Sequence, residues 1–309
     1  MPIEVRDALL IFNPMAGRAR GFRSGALDRV RKVLEHHGIE SELAPTDGPG
    51  SAPEMARRAV RERRGLVIVC GGDGTLNEVV NGLAGSAMPL ALLPAGTANV
   101  FAKELGLPWN IEHAASLIRG SSLRRIALGH VTAHGSEGGA RHFLSLAGTG
   151  PDGAIVRGVS PTLKKRTGQI AFWLEGVRQM VSYRFPRFRV SFDGKTSEAT
   201  LMIVGRTKHY GGPIQITTGA DLYGNDFELM LCTTKSRWKY LSYVPLLLAG
   251  QLRRARHTHF LRAVAMHCEP IDDEPIWVQV DGEPAGRLPA DFRIVEDALT
   301  LAVPDKTGK

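Results

Sequence analysis

Short, wholly apolar runs alternate with amphipathic helical stretches through the first third of the chain. Ala8 to Phe12 reads as a strand, and Ser24 to His37 as an Arg-rich amphipathic helix that Gly38 closes. Ile39 to Ala44 predicts a second strand, and Pro53 to Arg64 a helix with Met55, Ala56, Ala59 and Val60 on its inner face. Leu66 to Cys70 is apolar at every position, as expected of a strand covered on both faces. Strand and helix patterns in strict alternation predict an α/β domain with a parallel sheet, drawn here over residues 1–127.

After Ile126 the pattern changes. His142 to Leu146, Phe188 to Phe192, Ala199 to Val204, Phe227 to Cys232, Ile276 to Val280 and Leu299 to Val303 read as strands between Gly, Asp and Pro turns. They predict a mostly antiparallel β domain over 128–309. Two helices interrupt it, Gly168 to Tyr183 and Trp238 to Arg256, the second with a kink at Pro245. Trp238, Tyr240, Leu241 and Val244 are read as the core-facing side of that second helix.

Composition sets limits on this picture without altering it. The 309 residues are 43% apolar and 23% charged, enough for two cores. No apolar run approaches the roughly 20 residues of a membrane-spanning helix. The start, Met1 to Asp7, lacks the features of a signal peptide, so a cytoplasmic protein is expected. Cys70, Cys232 and Cys268 are far apart and odd in number, which argues for three buried thiols and against disulfides or a zinc site. A net charge of +8 points to a polyanionic partner. No zinc-finger spacing or RNP-type aromatic pattern is present, so nucleic acid is not expected.

The chemistry is concentrated in two loops. Strand three runs into Gly71-Gly72-Asp73-Gly74-Thr75-Leu76-Asn77, and a later strand runs into Pro94-Ala95-Gly96-Thr97-Ala98-Asn99, each followed by a helix. Glycines admit a phosphate close to the backbone, and the N–H groups and dipole of the following helix attract it. In open α/β sheets the C-terminal strand edge is also where ligands bind. Two such loops on neighbouring strands are suited to a polyphosphate.

These loops resemble the signatures of the diacylglycerol kinase catalytic-domain family, whose relatives include sphingosine, ceramide and bacterial lipid kinases. Asn13-Pro14-Met15-Ala16-Gly17 resembles its first nucleotide loop, Thr46 with Ala52 its Thr/Ala element, and Gly148 to Ala154 the loop opening its β domain. Lys164 to Gly168 and Asp281-Gly282-Glu283 resemble its later basic and acidic motifs. The resemblance implies an N-terminal α/β domain of the NAD kinase and diacylglycerol kinase type, a C-terminal β-sandwich, and ATP in the cleft between them. It implies Asn13, Thr46, Gly71, Gly72, Gly74, Thr75, Asn77, Gly96 and Thr97 around the nucleotide, with Lys165 approaching its phosphates. It further implies Asp152 at the lipid headgroup, catalytic Mg2+ with ATP, and Asp73, Asp281 or Glu283 as the carboxylate that handles the hydroxyl.

The chain departs from the family at two places. Val100 stands where the second loop usually has Asp, and the Asp-Gly pair of a structural magnesium site is displaced around Leu222 to Asp226, leaving Asp226 as the candidate ligand. The main alternatives are an NAD kinase-like or other small-molecule kinase, which also uses a Gly-Gly-Asp-Gly loop, and a degenerate member that binds nucleotide or membrane without turnover. Asp281-Gly282 is also a common type I′ hairpin pair. An enzyme with a bilayer-resident substrate must visit the surface. Lys164 to Arg166 and Arg253 to Arg256 offer about 1 kcal/mol per basic residue near anionic lipid. A homodimer is left open.

Overall fold

The computed structural model describes residues 5–16, 25–136, 139–160, 167–211 and 214–305. The chain divides into two compact units, one of Met1–Ala127 with Glu296–Lys309 and one of Leu128–Val295. The change of pattern after Ile126 assigns 296–309 to the β domain. Instead, Thr300 and Leu301 pair in parallel with Pro89 and Leu90, and the buried apolar residues Ala298, Leu299, Leu301 and Ala302 supply the reason.

In the first unit β1 (Asp7–Phe12), β2 (Glu40–Pro45), β3 (Leu66–Gly71) and β4 (Pro89–Pro94) form a parallel sheet in the order β2-β1-β3-β4. All six residues of β3 are buried, because helices cover both faces. Ala8, Leu10, Leu66, Ile68, Ala91 and Leu93 pack with α1 (Ala26–His36) and α5 (Ile111–Ser116). The alternate positions, Leu9, Ile11, Val67 and Val69, are equally buried on the opposite face, where α2 (Ala52–Arg61) and α3 (Asp73–Leu83) lie. Ala56 and Ala59 of α2 are fully buried, while its arginines form surface ion pairs with Glu54, Glu62 and Glu42. The short α4 (Val100–Glu104) follows β4.

β5 (Ser121–His134) leads into the second unit, whose register-defined pairings are all antiparallel. The chain continues through β6 (Arg141–Phe143), β7 (Leu146–Thr149), α6 (Pro151–Gly158), α7 (Gln169–Ser182), β8 (Phe188–Phe192), β9 (Lys195–Ala199) and β10 (Leu201–Gly205). Then follow β11 (His209–Gly211), β12 (Ile214–Gln215), β13 (Phe227–Cys232), α8 (Arg237–Leu248), β14 (Thr258–Ala263), β15 (Ala265–Pro270), β16 (Trp277–Val280) and β17 (Glu283–Pro304). Strands β14-β13-β10-β7-β16 lie side by side, and β17 joins β16 through a tight turn. A second row, β9-β8-β15, pairs with the middle of β17, and the side chains between the rows form one apolar core around Phe143, Phe188, Phe227 and Phe292.

Helix α8 differs from expectation. It runs through Pro245 but ends at Leu248, where Gly250 takes a left-handed conformation (φ 67°) and donates to the Leu247 carbonyl. Of its four expected core residues only Tyr240 is buried, stacked on Phe185 at 4.4 Å; Trp238, Leu241 and Val244 face solvent. The three thiols are buried, as the composition suggested, and burial pushes Cys70 up to about 12.

Candidate active site

Parallel register brings the candidate nucleotide residues of the first unit to one edge. Phe12 pairs with both Pro45 and Cys70, and Cys70 with Leu93. The next residues along the four strands are Thr46, Asn13, Gly71 and Pro94, so the C-terminal strand ends line up. The loop after β1 is bonded across this edge: Asn13 N–H donates to the Cys70 carbonyl at 3.2 Å, and its amide Nδ2 reaches Thr75 Oγ1 at 3.5 Å.

The two glycine loops touch through their backbones. A Cβ on Gly96 would lie 2.5 Å from the Cα of Gly72 and 2.7 Å from Asn99 Oδ1, so Gly96 cannot be replaced without parting the loops, while one on Gly72 would press on the Gly96 Cα at 3.3 Å. Asn99 fastens the second loop from within. Its left-handed backbone (φ 46°) lets its side chain accept from Gly96 N–H at 2.9 Å and donate to the Gly96 carbonyl at 3.0 Å. Thr97 at the tip is exposed.

Gly72 begins α3 and offers no side chain to cap it. The first-turn N–H groups and the positive helix end therefore face the loop pair, an arrangement suited to an anion. Asp73, partly exposed, sits in that turn and accepts from Phe101 N–H at 3.4 Å. Gly74 and Thr75 are half-buried beside it, and Asn77 is fully buried, accepting from Asn81 Nδ2. Val100, which replaces the usual Asp, is half-buried at the start of α4.

In the second unit the carboxylates are held by the protein's own donors. Asp152 on α6 is buried, its carboxylate lying where a Gly148 Cβ would be. It accepts hydrogen bonds from Tyr210 Oη and, at 2.6 Å, from Gln279 Nε2. Burial raises its pKa, and the two hydrogen bonds oppose that rise. Gln279 in turn accepts from Gly282 N–H at 2.9 Å, which ties Asp152 to the Asp281-Gly282-Glu283 turn. Asp281 and Gly282 both have positive φ, 46° and 81°, as a type I′ hairpin requires. The Asp281 carboxylate accepts from Leu144, Ser145 and Leu146 N–H at 2.8, 2.9 and 3.0 Å, clasping the turn to the chain before β7. Glu283 is half-buried at the start of β17.

Asp226, the candidate metal ligand, is engaged by the protein itself. It makes a two-pronged ion pair with Arg262. The fully buried Arg206 guanidinium takes the place a cation would have, donating to the carbonyls of Asp221, Leu222, Gly224 and Asp226 at 3.4, 2.7, 2.8 and 3.0 Å. Burial lowers its pKa to about 10, while Asp226 and Asp221 pull it upward. The donor set around this loop therefore does not fit a structural magnesium. Among the described residues no cluster of three His, Cys, Asp or Glu could hold a metal.

Lys165 lies outside the described residues, as do Lys164 and Arg166. Arg253, expected to attract lipid, is engaged by the protein: it pairs with buried Glu228, bonds Thr218 at 3.1 Å and stacks over Phe260 at 4.3 Å. Tyr210, Gln279 and Arg206 carry no motif that marks them in the sequence. Their partners are distant in the chain, so only the fold shows their roles.

Comparison with known proteins adds independent support. Residues 7–131 match the model of the diacylglycerol kinase catalytic domain, and residues 146–303 that of the YegS C-terminal NAD kinase beta sandwich-like domain. A diacylglycerol kinase of Bacillus subtilis is 30% identical over 93% of this chain and 93% of its own. One from Staphylococcus aureus strain RF122 is 29% identical over 97% of this chain and 93% of its own. The crystal structure of a diacylglycerol kinase from Bacillus anthracis superposes with a TM-score of 0.77 at 24% identity, covering 98% of each chain. That last likeness concerns the fold alone.

Proposed function

The chain belongs to the diacylglycerol kinase catalytic-domain family, and on that premise we propose that it transfers the γ-phosphoryl group of ATP to a hydroxyl of a membrane lipid, diacylglycerol giving phosphatidic acid. The observation that carries this reading is the backbone contact of Gly72 with Gly96 at the strand edge, beside the uncapped start of α3. Phosphoryl transfer needs positioned phosphates, neutralised charge and a group that orients the attacking hydroxyl. The loop N–H groups, Asn13, Thr46 and Thr97 serve the first need.

Mg2+ supplied with the nucleotide would neutralise charge on the phosphates. Such an ion keeps several waters and takes only one or two protein carboxylates, so Asp73 with the nucleotide's own oxygens is a fitting donor set. Asp73 also orients the hydroxyl and accepts its proton, with Glu283 the rival for that role. Asp281 is not a rival, because its oxygens already hold three backbone N–H groups. Asp152 shapes the floor on which a headgroup would rest. The placement of ATP between the two domains, and of Lys165 at its phosphates, rests on the family resemblance.

Incubation with γ-labelled ATP, Mg2+ and a panel of diacylglycerol, phosphatidylglycerol, a sphingoid base, an isoprenoid alcohol, NAD and a sugar phosphate tests the proposal. Label is expected in phosphatidic acid. Label in NAD or sugar, or in no acceptor at all, overturns it.

A further inference from the structure

Large apolar side chains are exposed mainly in one place. Of fourteen such residues among those described, nine lie on α7 and α8, which pack together in the second unit. On α7, Ile170, Trp173, Leu174, Val177 and Val181 follow the spacing i, i+3, i+4, i+7, i+11 and form a single stripe. The opposite side of the helix carries buried Ala171 and Glu175, so the stripe is not the face that meets the core. On α8, Trp238, Leu241, Val244 and Leu248 also share one side, while Tyr240 packs inward; Trp238 is 75% and Val177 69% exposed.

The exposed charges of the two helices are basic. Arg178, Arg237 and Lys239 are exposed, and the one acidic residue in either helix, Glu175, is buried, where it accepts from Gln179 at 2.6 Å and pairs with Arg178 at 3.4 Å, so the unbalanced basic charge lies on α8. Apolar stripes bearing tryptophan and edged by Lys and Arg are the composition of helices that lie in a membrane interface. A second copy of this chain is a poorer occupant, because a two-fold contact would set like charges against each other.

We propose that α7 and α8 form a membrane-docking face, which seats its apolar side chains among the acyl chains of an anionic bilayer while its basic edge meets the headgroups. The proposal rests on the lipid-kinase reading and names how that enzyme would reach its substrate. It moves the contact away from Arg253, which the fold has already engaged, to residues left exposed among the described residues of the second unit.

Full-length protein mixed with phosphatidylcholine–phosphatidylglycerol vesicles carrying brominated acyl chains provides the test. Tryptophan emission should be quenched on binding. Trp173→Phe with Trp238→Phe should abolish most of the quenching while the protein still sediments with vesicles. Trp173→Glu with Val177→Glu should lower vesicle partitioning about tenfold or more with the melting temperature unchanged, and should spare turnover of a short-chain soluble lipid. Quenching that survives removal of both tryptophans overturns the proposal. So does a solution dimer that the Trp173→Glu, Val177→Glu variant dissociates without altering vesicle binding. Because quenching and sedimentation need no ATP, a protein that docks this way but phosphorylates no lipid would refute the kinase reading and leave the docking face standing.

Discussion

Asp73 and Asp281 each stand before a glycine, and the family resemblance makes both candidates for the same role. At the strand edge of the first unit, Asp73 is partly exposed in the first turn of an uncapped helix, next to two loops in contact through glycine. In the second unit, Asp281 is surrounded by three backbone N–H groups, and Asp152 by Tyr210 and Gln279. Asp73 accepts one long bond, from Phe101 N–H at 3.4 Å, while remaining partly exposed; Asp152 and Asp281 are spent on holding strands and turns in place. An acidic motif is thus a poor guide to chemistry until the acceptor demand on its oxygens is known.

The comparison breaks or holds most clearly on paired substitutions. Asp73→Asn should lower kcat by about 10²- to 10⁴-fold without changing the melting temperature. Asp281→Asn should keep more than a tenth of kcat, a barrier change under ~1.4 kcal/mol, and instead lose about 1 to 3 kcal/mol of stability. Equal losses of kcat with the fold intact would make both aspartates catalytic; Glu283→Gln measured alongside tells which carboxylate takes the proton.

Arg206 extends the contrast to cations. Arg206→Met should cost about 2 to 5 kcal/mol, since four loop carbonyls lose a charged donor, and EDTA should leave the wild-type melting temperature unchanged. A melting temperature that falls in EDTA would place a metal where the guanidinium is assigned.

The smallest effect is a change in pH dependence. Burial raises the pKa of Asp152 above its ordinary 3.8. Its contribution to stability is therefore full below that value and is lost as pH rises through the folded-state value. Asp152→Asn, with no proton to lose, should flatten that part of the melting curve against pH. An unchanged profile would mean that Asp152 is not buried as described.

The glycine loops could be read in the sequence because their chemistry is local: strand, glycines, hydroxyl and helix start lie within a dozen residues. β3 was equally plain, six apolar residues with no polar break. The clasp of Asp281 was not legible, since its donors lie some 135 residues earlier in the chain. Arg206 reads as an ordinary surface charge until the 221–226 loop folds around it. The stripe on α8 misled for the opposite reason. Apolar spacing shows that residues share a side, and only packing decides whether that side meets the core.

Hydrogen exchange of the backbone amides, with and without a non-hydrolysable ATP analogue and Mg2+, tests the central claim most directly. Protection should appear at residues 13–16, 71–76 and 95–99, and should be lost in Gly96→Val, where the new side chain would force Gly72 and Gly96 apart. Nucleotide-dependent protection confined to residues 144–152 and 279–283, with the glycine loops exchanging as before, would contradict the account.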